Sequence, residues 1–283
     1  MTDDASLQPA VAAEFLALAD LLESATDAQW DTPSLCEGWR VREVVAHMTM
    51  AARYPEDKFM AELRRCDFDF GRLSNEIASR DAGLPPAELV ASLRSGTMQH
   101  WAPPGGGYHG ALNHVVIHGL DITVPLGVPR RSPDETIRIV LDELTRGHVH
   151  VRFGTNIDGR TLQATDLDWS YGSGPMLRGR AEDLALMLCG RVLPPERIEG
   201  EPLNQGQLVI SRRRRGTPSG QVADPHTCGF VGRGNQFSFR ELCELISAVA
   251  PMRRAVDYGL GAACRPSAPR ASGRLQASEE GST

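Results

Sequence analysis

The sequence predicts an α+β protein: a helical bundle over residues 7–146, a small mixed α/β domain over 147–202, and an atypical, partly disordered extension over 203–283. Three observations predict it. Apolar residues recur at helical spacing through the first half of the chain. Beyond residue 147 the period shortens toward alternation, which marks strands. Beyond about 203 the chain becomes rich in Arg, Gly, Pro and Ser and loses most of its apolar period.

The elements follow in order. Residues 7–26 place Val11, Phe15, Leu16, Leu18, Ala19 and Leu22 on a helix. A turn at Asp31-Thr-Pro-Ser leads through Leu35-Cys-Glu-Gly-Trp39 into a second helix from about Val41 to Ala52. A third helical segment covers roughly 56–80. Pro85-Pro86 opens a short helix to residue 95, with proline where a missing N–H costs least. After a Pro103-Pro-Gly-Gly-Gly107 loop, a helix runs from about Tyr108 to Leu126, and Ser132-Pro-Asp-Glu starts another that ends near Arg146. His148-Val-His-Val-Arg and the stretch from Leu162 to Trp169 alternate like strands, and Ala181 to Leu188 reads as a helix stopped at Gly190. One further helical candidate lies at about 238–255, and Pro266 to Thr283 has the composition of a disordered tail.

Composition narrows the function classes. The chain has 283 residues, 41% hydrophobic and 23% charged, the balance of a globular protein. No run approaches 18 consecutive apolar residues, and the N-terminus lacks a basic start with an apolar stretch, so a cytoplasmic protein without a membrane partner is expected. A net charge of -6 gives no electrostatic reason to bind nucleic acid, and Arg212–Arg215 reads as a solvated tail. Lys58 is the only lysine. None of the six cysteines forms a C-x-x-C pair, which argues against thioredoxin chemistry and a four-cysteine zinc site. Cys36 and Cys189, in apolar surroundings, are expected to act as small hydrophobes.

The helix at 108–126 carries the chemistry. With Leu112 at the origin of a helical wheel, Val116, Gly119 and Thr123 fall beside it, while His114, His118 and Asp121 gather on the opposite side. His114 and His118 are four apart, one turn along the same face, so two imidazoles can converge on one ion at roughly 2.0–2.1 Å. Asp121 could orient an imidazole by accepting its second N–H. The same stripe could equally face water. His47 borders the apolar stripe of the second helix, Val41, Val44, Val45, Met48 and Ala52, and points along a helix–helix seam. There it could meet the later stripe, or serve as a satisfied core histidine. The wheel alone leaves both open.

The segment Trp30-Asp-Thr-Pro-Ser-Leu-Cys-Glu-Gly-Trp-Arg-Val-Arg-Glu-Val-Val-Ala-His47 resembles the opening signature of the mycothiol-dependent maleylpyruvate isomerase family, whose fold is a DinB-like four-helix bundle. His114-Val-Val-Ile-His-Gly-Leu-Asp-Ile122, followed by Pro125-Leu-Gly-Val-Pro129, resembles its second metal motif. Asp168-Trp-Ser-Tyr-Gly-Ser-Gly-Pro175 and the run from Gly179 to Arg191 look like its small C-terminal α/β domain. The resemblance covers about residues 8–200. It implies a divalent-metal site, most naturally zinc, held by His47, His114 and His118, with His114 at a first-ligand position where the family carries glutamate or histidine.

It also implies mycothiol as cofactor and a small electrophilic substrate. Free thiol, with a pKa near 8.5, is only a few per cent thiolate at pH 7, and a divalent cation deprotonates it outright. The thiolate would add to an electrophilic carbon, then leave in an isomerisation or stay attached in a transfer. Arg180 or Arg191 could hold a substrate carboxylate, but a surface role is expected for each. The alternative function is a non-enzymatic DinB-like metal-binding or sensing protein.

Overall fold

The computed structural model describes residues 3–129, 132–146 and 153–200, all within one packed unit. The extension over 203–283, Arg212–Arg215, the helix expected at 238–255, the tail from Pro266 and the alternating stretch at 148–152 lie outside the described residues.

A 3-10 turn, Asp4–Leu7, leads into α1 (Gln8–Glu23), which buries Val11, Phe15, Leu18, Ala19 and Leu22. By length and average hydropathy alone the stretch Asp4–Glu23 could cross a membrane, a feature the search for unbroken apolar runs passes over. Those five side chains are committed to the core instead. A short α2 (Asp27–Trp30) follows, capped by Thr26, whose hydroxyl accepts from Gln29 N at 3.3 Å.

Two helices expected to be continuous are broken. The second ends early, as α3 (Val41–Met48), and the chain restarts as α4 (Met50–Arg53). At the break, the Thr49 hydroxyl donates to Val45 O at 2.7 Å and the backbone leaves helical geometry, a back-bonding that bends helices. The segment expected over 56–80 is α5 (Glu56–Arg65) and α6 (Phe70–Asp81). Between them Asp67 and Phe68 take φ of 55° and 60°, left-handed values that end a helix, and Asp69 caps α6 by accepting from Arg72 N at 3.0 Å.

Next come α7 (Pro86–Leu93), α8 (Gly96–Gln99) and α9 (Gly107–Thr123), the helix expected to carry the chemistry. Its start is fixed by the turn that precedes α1. The Asp4 carboxylate accepts from the backbone N–H of Tyr108 and His109 at 3.1 and 3.0 Å. Gly107 permits this approach, since its φ is 56° and a Cβ there would lie 2.6 Å from Asp4 Oδ2. Helix α9 is buried nearly all round, packing on α1, α3 and α10 (Asp134–Thr145).

The remaining described segment forms a four-stranded mixed sheet in the order β2-β1-β3-β4: β1 (Thr161–Ala164), β2 (Ser170–Gly172), β3 (Met176–Gly179) and β4 (Ile198–Gly200). Strand β1 pairs parallel with β3 and antiparallel with β2, and β3 pairs antiparallel with β4. Alternation from Leu162 therefore ends at Ala164, and the approach to Trp169 is a turn. Leu162, Ala164 and Leu177 face inward beneath α11 (Ala181–Leu188), which packs on α9 and α10. One hydrophobic cluster thus runs from α1 to the sheet.

Helix α11 ends as the sequence predicts. Gly190 has φ of 72°, its N–H donates to Met187 O at 2.9 Å, and Arg191 N donates to Leu186 O at 3.0 Å. This pair of bonds is the Schellman arrangement. It turns Arg191 back toward α9.

Candidate metal centre

Helices α3 and α9 bring three imidazoles together. His47 lies in the last turn of α3, and His114 and His118 one turn apart on α9. All three are buried, at 5%, 5% and 3% exposure. The face carrying His114, His118 and Asp121 therefore turns inward, not to water. Ring centroids are 4.8 Å apart for His114 and His118, 5.0 Å for His47 and His118, and 5.4 Å for His47 and His114. One nitrogen from each ring lies within 4.8 Å of the others.

The separation of two of these nitrogens is informative. His47 Nε2 and His114 Nε2 stand 3.4 Å apart. Two donors bound tetrahedrally at the zinc–nitrogen distance would be roughly 3.3–3.4 Å apart. The donor set therefore fits a divalent cation in both chemistry and spacing.

The outer ring nitrogens are held as well. His47 Nδ1 is hydrogen-bonded to Ser74 Oγ of α6 at 2.9 Å. His118 Nδ1 meets Asp121 Oδ2 at 2.9 Å. Asp121 is fully buried, and Arg191 grips it with Nε on Oδ1 at 2.7 Å and Nη2 on Oδ2 at 2.8 Å. Burial works against this carboxyl's ionisation, but the Arg191 charge and hydrogen bonds, with the His118 contact, outweigh it and hold it well below the usual carboxylate range. A carboxylate in that state only accepts, so His118 Nδ1 donates, and Nε2 lies on the side of the ring away from Asp121. Burial, reinforced by the neighbouring His118, pushes the His47 and His114 imidazoles well below their ordinary value, favouring the neutral form that binds metals.

Two tryptophans flank the cluster. Trp39 lies against His47 with centroids 5.1 Å apart, and half-buried Trp101 lies against His114 at 4.9 Å. The loop before Trp39 is clipped to α9, where Leu35 N donates to Asp121 O at 3.1 Å. Its Cys36 thiol donates to Asp121 Oδ2, also at 3.1 Å, and lies 3.9 Å from His118 Nδ1.

The structure thus gathers His47, His114 and His118, and seats Asp121 on His118. One expectation is corrected and another extended. Arg191 is no surface residue: the turn at Gly190 carries its guanidinium onto the buried Asp121, where charge pairing offsets desolvation. Cys36 is buried in the main hydrophobic cluster as expected, but it is not only a small hydrophobe: its thiol also touches Asp121, His118 and Arg191. Arg180 is exposed and paired with Asp166 and Glu182, as a surface residue should be. Ser74 escapes sequence reasoning altogether, since one serine on an amphipathic helix carries no signal. For Arg191 the signal was its place just after a helix-stopping glycine.

Residues 11–100 match the family model for the mycothiol maleylpyruvate isomerase N-terminal domain. Two solved structures, of the mycothiol-dependent maleylpyruvate isomerase and of its histidine-to-alanine mutant, are similar at 16% identity, with TM-scores of 0.47 and 0.46. Each match covers 71% of this chain and 95% of the solved chain. Comparison with curated proteins finds no match. The family likeness thus rests on residues 11–100, the N-terminal helical part of the chain.

Proposed function

We propose that this protein is a metal-dependent enzyme that uses mycothiol, acting as an isomerase or S-transferase on a small electrophilic substrate in the cytoplasm. The observation that carries the reading is the convergence of three buried imidazoles, two of them with Nε2 atoms 3.4 Å apart. His47, His114 and His118 would hold the cation, and zinc suits an all-imidazole set. Three protein donors, rather than four, is the donor number of catalytic zinc sites. When bound, the cation would supply the charge that lowers the pKa of a thiol.

The remaining work falls to the chain itself. Ser74 and Asp121 hold the outer nitrogens of His47 and His118, so that neither ring needs to reorient when a ligand arrives. Trp39 and Trp101 wall two of the three rings and exclude water from them, which strengthens charge interactions at the centre. Asp121 and Arg191 neutralise one another, so three neutral imidazoles leave the cation's full charge available to an anionic sulfur.

The test is elemental analysis of the full-length protein, followed by calorimetric titration with mycothiol before and after chelation. About one zinc per chain, and mycothiol binding that disappears with the metal, is the expected result. Protein without stoichiometric metal, or mycothiol binding indifferent to chelator, overturns the proposal.

A further inference from the structure

Asp121 Oδ2 is a crowded acceptor. It receives His118 Nδ1 at 2.9 Å, Arg191 Nη2 at 2.8 Å and Cys36 Sγ at 3.1 Å. Arg191 fixes the carboxylate plane by gripping both oxygens, yet a two-point grip leaves several directions open around Oδ2. Arg191 Nη2 also donates to Cys36 Sγ at 3.6 Å, and the loop that carries Cys36 adds its own anchors. Ser34 Oγ receives Cys36 N at 3.1 Å and itself donates to Trp39 O at 2.8 Å, while Leu35 N is tied to Asp121 O. The thiol therefore arrives at Oδ2 from a loop anchored to the same residue's backbone.

We propose that Cys36 is a positioning residue for the three-histidine centre: its S–H occupies part of Asp121 Oδ2 and confines the His118 Nδ1 hydrogen bond to one direction. The inference rests on the metal-centre reading above and extends it to a side chain 3.9 Å from His118. A thiol is a weak donor, but in a buried site every donor to a carboxylate counts, and no water competes for the place. The ring of His118 is then set with Nδ1 committed to Asp121, which leaves Nε2 as its nitrogen for a cation. Loss of the thiol hydrogen loosens that setting while leaving all three imidazoles in the chain.

The test compares the full-length parent with Cys36→Ala and Cys36→Ser. In metal-free protein, the His118 Nδ1–H proton, followed by NMR, should exchange with solvent faster in the alanine variant than in the parent, and near the parent's rate in the serine variant, whose hydroxyl still donates. Zinc affinity, read by competition with a chromophoric chelator, should fall about tenfold for Cys36→Ala and much less for Cys36→Ser. In an Asp121→Ala background, Cys36→Ala should cost nothing further, because the acceptor that links thiol to imidazole is gone. An unchanged exchange rate in Cys36→Ala, a serine variant as impaired as the alanine one, or additive losses with Asp121→Ala overturns the inference. Should Cys36→Ala not fold, the serine variant decides alone: a His118 Nδ1–H that keeps the parent's exchange rate supports the proposal, and one that loses it overturns it. Parent protein that binds no zinc, with exchange still faster in Cys36→Ala, would refute the metal reading and leave the positioning role standing.

Discussion

Two buried polar clusters adjoin α3, and their wiring differs. Beside α4 and α6, Asp81 accepts from Arg53 Nε at 2.9 Å and from the Tyr54 hydroxyl at 3.0 Å. Arg53 also donates to the Thr49 hydroxyl and the Ala46 carbonyl, and Arg80 donates to the Tyr54 oxygen. Donors meet acceptors and opposite charges meet throughout. Between α3 and α9, three rings gather with two nitrogens of one kind face to face, and complementary partners sit only on their outer edges. The first arrangement closes a satellite core of Met50, Leu63, Leu73 and Ile77. The second has the donor arrangement that is proposed to hold a cation. Burial alone does not distinguish them; the direction of donors and acceptors does.

The largest effect should come from removing a ring. His118→Ala is expected to take metal content from about one zinc per chain to near zero, since two imidazoles hold zinc poorly. Far-UV circular dichroism should stay near the parent's, because alanine favours the helix. Retained zinc with a lowered melting temperature would make His118 a core histidine and erase the contrast between the clusters.

Asp81→Ala should behave in the opposite way. Leaving Arg53 without its carboxylate in a mostly buried place is expected to cost about 3 kcal/mol, seen as a melting point lowered by roughly 10 °C. Zinc content should be unaffected. Loss of zinc in this variant would mean that the two clusters are coupled through α3.

Arg191→Ala probes the link between the C-terminal segment and the centre. With its partner removed, the buried Asp121 carboxylate loses both grips, and zinc affinity is expected to fall by about 10- to 100-fold. Arg191→Lys should restore only part of it, because an ammonium cannot reproduce the fork. A full rescue by lysine would show that charge, not geometry, is what Asp121 needs.

The smallest effect is a pH slope. The folded His47 and His114 sit below their ordinary imidazole value, so below about pH 6.5 the unfolded chain binds more protons than the folded one. Metal-free protein should therefore lose stability as pH falls through that region, by up to about 1.4 kcal/mol per pH unit for each such ring, and show no penalty above it. Replacing His114 with Gln should flatten the slope; an equally steep slope in that variant would place the effect elsewhere.

Much of the helical frame was legible in the sequence because it rests on local rules. The apolar stripe of α1, the proline start of α7, and the Gly190 stop of α11 each follow from period or backbone geometry. So does the shared face of His114, His118 and Asp121, since four residues make about one helical turn. The breaks at Thr49 and at Asp67 and Phe68 were missed, because no proline or glycine marks them. A side-chain hydroxyl makes the first, and two left-handed non-glycine residues make the second.

What the sequence determined by itself was which residues could act together along one helix: His114 with His118, and Asp121 beside them. Whether that stripe met water or another helix, whether His47 faced it, and that Ser74, Cys36 and Arg191 would hold its edges were decided only by the tertiary structure. Local spacing sets directions around one helix axis. Contacts between residues 36, 47, 74, 118 and 191 depend instead on how α3, α6, α9 and the turn after α11 pack, and that packing is chosen by the whole core.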